Sequence, residues 1–120
     1  MMNDIPDRLT RFAVSVIKMS RKLNNSIEYK IIKYQLIKAS TSAGANYEES
    51  QGASSTPDFT NKVKISLKEM RESNYWLKVI DQTIDTTERP EELNELIDES
   101  EQLKKILGSI CQKKSAENKK

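Results

Sequence analysis

Polar residues that could do chemistry cluster in the middle of the chain. Asn46 and Glu49 stand three residues apart, as do Glu69 and Glu72, so each pair shares one face of a helix. Carboxylate-bridged metal sites in helix bundles use Glu at such spacing, but as Glu-x-x-His pairs, and the chain has no histidine. A carboxylate-only site that binds Mg²⁺ weakly is the remaining metal alternative.

The absence of histidine also rules out Ser/His/Asp and Cys/His nucleophilic sets. We therefore predict no catalytic residue, no cofactor and no resident metal. Cys111 is the single cysteine, so no internal disulfide can form. Because it lies near the end of an apolar heptad pattern, we predict a small buried or half-buried side chain and not a reactive thiol.

A structural polar network is the simpler interpretation of the central polar residues. A half-buried carboxylate needs hydrogen-bond partners, because its desolvation otherwise costs several kcal/mol. Such a network would fix the register of the helices. Its predicted members are Gln35, Ser42, Asn46, Glu49, Glu69 and Glu72.

The elements that must position these residues are four amphipathic helices. Helix one begins near Pro6, and Ser26 can cap a second helix that runs from Ile27 to Gly52 or Ser54. Small residues on that second helix, including Gly44, would allow a neighbouring backbone to approach closely. The apolar repeat of helix one consists of Leu9, Val16 and Leu23.

The third helix has Thr56 as its predicted cap, and Pro90 is predicted to open the fourth. Interleaved apolar heptads over several turns indicate bundle helices and not strands. The third helix repeats Val63, Met70, Leu77 and Ile84, and the fourth carries Leu93, Leu96, Ser100, Leu103, Leu107 and Ile110. In the third helix, at most one of Tyr75 and Trp76 can face the centre.

The fold class predicted from these helices is all-α, an antiparallel up-down-up-down four-helix bundle. The chain has 120 residues, with three glycines and three prolines, which fits one domain and disfavours an all-β fold. We place the bundle domain at residues 1–112 and a basic, flexible tail at residues 113–120.

Charge is distributed unevenly along the chain. Residues 1–40 carry eight basic and three acidic residues, whereas residues 81–120 carry seven basic and ten acidic residues. A solvated helix face is the simpler interpretation of the basic residues within residues 1–40, and a nucleic-acid-binding face is the alternative. The candidate nucleic-acid-binding residues are Arg8, Arg11, Lys18, Arg21, Lys22, Lys30 and Lys33.

No apolar run approaches the roughly 20 residues that a membrane span requires. The first residues, MMNDIPDRL, include acids and no apolar signal core. We therefore expect a cytoplasmic location and no membrane partner.

Short motifs in a fixed order carry a resemblance to a known family. In chain order they are Asn46 and Glu49, then Ser55, Asp58 and Phe59, then Glu72, Tyr75, Trp76 and Leu77. In this respect the chain resembles the small bacterial four helix bundle protein family. That family includes proteins encoded in intervening sequences of 23S ribosomal RNA genes and accessory variability determinants of diversity-generating retroelements.

The resemblance implies a homopentamer of antiparallel bundles without catalysis of its own. Our leading hypothesis is a non-enzymatic oligomeric scaffold that associates with RNA or with protein. One alternative, implied by the retroelement branch, is an accessory protein that binds a reverse transcriptase and RNA. Another is a protein-only adaptor, in which the acidic first half of the fourth helix meets a basic partner.

Overall fold

The computed structural model describes residues 4–118, and the side chains of residues 4–114. Four helices follow one another: α1 (Ile5–Ser20), α2 (Ile27–Ser50), α3 (Thr56–Thr83) and α4 (Glu92–Asn118). A single 3₁₀ turn at Thr86–Glu88 precedes α4. No strand occurs within residues 4–118, and the predicted all-α four-helix bundle is confirmed.

The helices form a ring in which each packs on its neighbours. α1 contacts α2, α2 contacts α3, α3 contacts α4, and α4 returns to α1. The rod-shaped molecule measures 53 × 27 × 20 Å. The apolar stripes that the heptads predicted meet along its axis, and the fully buried large side chains are Leu9, Met19, Leu36, Met70, Leu77, Ile80, Leu93, Leu103 and Leu107.

Two of the predicted helix starts differ from the structure. Ser55, and not Thr56, caps α3, because Ser55 has extended backbone and its hydroxyl accepts a bond from the Asp58 amide at 3.2 Å. Pro90 precedes α4 and does not open it. Its carbonyl accepts a bond from the Leu93 amide at 3.3 Å. The Ser26 cap is confirmed, since its hydroxyl accepts from the Tyr29 amide.

The helix ends also shift relative to the predictions. α2 ends at Ser50, two to four residues early. The Gln51 amide bonds back to the Glu48 carbonyl at 3.2 Å, and the Gly52 amide bonds back to the Glu49 carbonyl at 3.1 Å. α4 continues to Asn118, beyond the predicted domain boundary at residue 112. The predicted flexibility of the tail stays a prediction, and residues 119–120 lie outside the described residues.

α2 and α3 are in direct contact at a pair of small residues. Ala43 and Ser66 are fully buried, and the Ser66 hydroxyl donates to the Ala43 carbonyl at 2.7 Å. At Gly44 an added Cβ would lie 3.7 Å from the Leu9 Cβ, which is ordinary contact. The tight approach predicted from the small residues is therefore located at Ala43, and Gly44 has room for a methyl group.

Candidate functional site

The six residues of the predicted polar network belong to α2 and α3. Five of them are half-buried there, and Glu49 is exposed. Asn46 donates to the Ser42 carbonyl at 2.9 Å and to its hydroxyl at 3.1 Å. These two bonds stay within α2, so they do not tie one helix to another.

The carboxylates of the predicted network have other neighbours. Glu49 forms an exposed ion pair with Lys62 at 2.9 Å, which raises the pKa of Lys62 through its hydrogen bond. Glu72 accepts a long bond of 3.5 Å from the Trp76 indole. Among the described residues, no bond joins Gln35, Glu69 or Glu72 to another predicted member. The structure thus brings only Asn46 and Ser42 into direct contact.

A different polar network, not predicted from the sequence, joins α3 to α4. The Asn74 amide, which is 3% exposed, donates to the Ser100 hydroxyl at 2.8 Å. Ser100 in turn donates to the Ile97 carbonyl at 2.9 Å. Lys104 donates to the Asn74 side-chain oxygen at 3.2 Å. The sequence did contain a signal for this network, because Ser100 interrupts the leucine pattern of the fourth helix. A hydroxyl at a buried position requires a hydrogen-bond partner.

Glu101 extends this network to the surface. Its carboxylate forms ion pairs with Lys78 at 2.9 Å and Lys104 at 3.1 Å. Hydrogen bonds from these two ammonium groups lower the pKa of Glu101 to about 2. One acid therefore lies between two cations, and it holds the outer edges of α3 and α4 together.

Replacing Glu101 by glutamine is expected to lower the free energy of unfolding at pH 7 by about 0.5–1 kcal/mol, since the pairs are solvent-accessible. The folded-state pKa lies below the unfolded value of roughly 4.3. The stabilisation is therefore present above that value and is lost as the pH falls toward about 2. Urea unfolding at several pH values measures the difference. Glu95→Gln, at an exposed position on the same helix, is the control and should change the free energy of unfolding at pH 7 by less than about 0.5 kcal/mol.

The basic residues predicted to bind nucleic acid are partly occupied within the molecule. Arg8 pairs with Glu99 at 2.7 Å, and Lys22 pairs with Glu92 at 2.7 Å. The hydrogen bond to Glu99 raises the pKa of Arg8, and the bond from Lys22 lowers the pKa of Glu92. Arg8 of α1 and Lys22 of the following turn therefore contact the acidic half of α4 and contribute to the packing of these elements.

The remaining candidates divide into two groups. Arg11 lines the α1–α4 groove beside Glu95 and other acids, and Lys33 donates to the Leu23 carbonyl at 3.0 Å, which ties α2 to the preceding loop. Lys18, Arg21 and Lys30 are exposed, and no ion pair engages them within the described part of the chain. The structure does not gather the seven candidates into one free surface.

A second basic surface lies between α3 and α4. A groove of about 580 Å³ runs there, with Leu67, Gly108 and Cys111 among its lining residues. Arg71, Lys104 and Lys105 also line it. This surface was not predicted from the sequence, although the four- and three-residue spacing of the α3 cations is visible there.

An exposed apolar surface occupies the outer side of α1 and α2. Four of the five large hydrophobic side chains exposed within residues 4–114 lie there, between 43% and 78% exposed. We call these four, Val14, Ile27, Ile31 and Tyr34, the outer apolar face. A groove of about 490 Å³ between α1 and α2, which includes Ile17 and Ala45, adjoins Val14. Tyr75 is the fifth exposed side chain, and its neighbour Trp76 is half-buried.

Metal-binding and thiol chemistry have few candidates in the described residues. Residues 4–114 contain no group of three or more Cys, Asp or Glu side chains placed to hold a metal ion. The Cys111 side chain is buried, and burial raises the pKa of its thiol. No helix in the described part of the chain is long and apolar enough to cross a membrane.

These features define a small antiparallel four-helix bundle whose distinctive residues lie at helix junctions and on outer surfaces. The chain belongs to the 23S rRNA-intervening sequence protein family, which it matches over residues 3–109. The resemblance to the intervening-sequence proteins is thereby confirmed.

Comparison with solved structures gives the same fold. The chain is similar to a crystal structure of a protein of unknown function from the S23 ribosomal protein family of Bacteroides thetaiotaomicron. The two are 31% identical with a TM-score of 0.76, and the match covers 89% of this chain and 97% of the other. No curated protein matches the chain.

Proposed function

We propose that this chain is a non-enzymatic subunit of a homopentameric, cytoplasmic scaffold that holds RNA. The observation that carries the proposal is the outer apolar face, because large exposed apolar patches mark association surfaces. Ile27, Ile31 and Tyr34 recur at four- and three-residue spacing on α2, so they form one stripe. A second copy of the chain is the occupant that we propose for this stripe.

The proposal that the scaffold holds RNA has two supports. The family description refers to an intervening sequence of 23S rRNA, and the structural neighbour comes from a ribosomal protein family. Exposed cations on α3 would supply contacts to phosphates. Assembly would multiply these contacts, which raises avidity without any new interaction.

The acidic adaptor is less well supported by the contacts. Glu92 and Glu99 of α4 already pair with Lys22 and Arg8 of the same chain. A basic partner would have to displace these cations to reach both acids. An accessory role beside a reverse transcriptase stays an alternative within the RNA scaffold, and co-purification with that enzyme would test it.

Replacing Ile31 by glutamate is expected to convert the assembly into smaller species. Ile31 is 59% exposed in the single chain, so the change should leave folding intact. In an apolar interface between copies, however, each introduced carboxylate would be desolvated without a partner. Light scattering coupled to gel filtration measures the mass, and the wild-type chain should give five times 13.8 kDa.

Tyr75→Glu is the matched control for this experiment. Tyr75 is 57% exposed, but it lies on α3, away from the outer apolar face, so this variant should keep the wild-type mass. A wild-type chain that elutes as a monomer would refute the proposal of assembly. An Ile31→Glu protein with unchanged mass would show that copies meet elsewhere.

A further inference from the structure

The geometry points to a binding site for single-stranded nucleic acid in the groove between α3 and the second half of α4. Arg71 of α3 and Lys105 of α4 line this groove, and the exposed Lys64, Lys68 and Tyr75 lie along the same face of α3 as Arg71. We call the groove, together with this row of α3 residues, the α3–α4 basic groove. The inference rests on the part of the proposed function in which the scaffold holds RNA. It assigns that role to a surface different from the one that the charge asymmetry of the sequence suggests.

Arg71, which lines the groove on its α3 side, belongs to one continuous exposed row. Lys64, Lys68, Arg71, Tyr75 and Lys78 are exposed and follow one another at four- and three-residue spacing, so they neighbour one another along one helix face. No acidic residue occupies this row. From Lys64 to Lys78 the row extends about 21 Å, at 1.5 Å per residue.

Residues of α4 line the opposite side of the groove and leave space at its base. Lys104 and Lys105 lie on this side, and Leu67 and Cys111 also line the cavity. A Cβ placed on Gly108 would meet nothing within 4 Å, so the chain leaves space at this point. Burial raises the pKa of the Cys111 thiol, and the positive charges of Lys64 and Arg71 act in the opposite direction. The positive field of these two side chains therefore extends to Cys111, which lines the groove.

The cations of the groove are available for a ligand. Glu101 is the acid that lines the groove, and it is already neutralised by Lys78 and Lys104. Lys64, Lys68, Arg71 and Lys105 form no ion pair within the described part of the chain. Arg8 and Lys22 differ in this respect, because both are paired with acids of α4.

An exposed aromatic ring selects the class of polyanion. Tyr75 lies within the row of cations, between Arg71 and Lys78. Its ring packs edge-to-face with Trp76 at a centroid distance of 5.1 Å, which restrains its position. Proteins that bind single strands combine a positive groove along the backbone with aromatic rings on which bases stack. An acidic peptide would satisfy the cations but would have no use for the ring.

Binding of fluorescently labelled U12 and dT12 oligonucleotides, measured by anisotropy over a salt series, tests the site. Four unpaired cations predict that log Kobs falls with log salt at a slope of about −3, since each single-strand phosphate contact contributes about −0.7. Arg71→Gln should weaken binding and reduce this slope by about 0.7. Tyr75→Ala should weaken binding about fivefold or more and leave the slope unchanged. The two oligonucleotides separate a preference for RNA from one for DNA.

Lys30→Gln is the matched control, because it removes one exposed, unpaired cation from α2. It should change the affinity much less than Arg71→Gln, and circular dichroism should show that all variants stay folded. Equal losses from both variants would overturn the groove and leave RNA binding by overall charge. A loss with Arg71→Gln but none with Tyr75→Ala would overturn a nucleic-acid site in favour of a general polyanion site. If neither oligonucleotide bound at low salt, both this inference and the RNA part of the proposed function would be refuted.

Discussion

Replacement of Ala43 by leucine is expected to lower the free energy of unfolding by about 3 kcal/mol, because the added atoms have no space to occupy. Ala43 is fully buried, and its carbonyl accepts the Ser66 hydroxyl at 2.7 Å. A larger side chain would push α3 away and break this bond. The loss of a buried hydrogen bond would add to the strain of overpacking.

The matched control is Ala45→Leu, two residues further along α2. Ala45 is exposed, and substitutions at such positions usually change stability by less than about 0.5 kcal/mol. Urea denaturation followed by circular dichroism, at one fixed protein concentration, compares the two variants. If both unfolded at the same urea concentration as the wild type, α2 and α3 would not be in the close contact described above.

Removal of the Ser100 hydroxyl is expected to have the second largest effect on stability. In Ser100→Ala the Asn74 amide, buried between α3 and α4, loses its acceptor at 2.8 Å. An unsatisfied buried donor costs about 1–3 kcal/mol. Urea denaturation of this variant should therefore show a clear loss, although only one oxygen atom is removed.

A double variant separates the hydrogen bond from packing. Asn74→Leu combined with Ser100→Ala replaces both partners by apolar groups, which can be nearly neutral. We expect the double variant to be more stable than the sum of the two single losses implies, with a coupling of about 1 kcal/mol or more. Strictly additive losses would mean that the two side chains do not depend on each other in the folded protein.

These expected losses assign different roles to the helix contacts. α2 and α3 meet through small side chains and a bond to backbone, whereas α3 and α4 share a buried polar pair. The contact between α1 and α4 includes the surface ion pairs of Arg8 and Lys22, each worth about 1 kcal/mol or less. The α1–α4 contact is therefore the one expected to be most sensitive to salt.

The four helices and their buried faces followed from the sequence. Apolar residues that recur every three or four positions indicate a helix and also show which side of it is buried. Both inferences are local, because residues at this spacing are neighbours on one face of the same helix. Val63, Met70 and Leu77 were predicted to be inside and are fully buried. The Ser26 cap was predictable for the same reason, since its bond spans three residues.

The partners of the polar residues were decided by the tertiary structure. Arg8 and Glu99 are 91 residues apart, and Asn74 and Ser100 are 26 apart. Their pairing depends on how far each helix is rotated and shifted relative to its neighbour. The α3–α4 basic groove could not be predicted for the same reason. The sequence shows the spacing of its α3 residues but not which residues of α4 lie opposite them. Periodicity determines which side of a helix is buried, and only the packing of the helices determines which charges remain free.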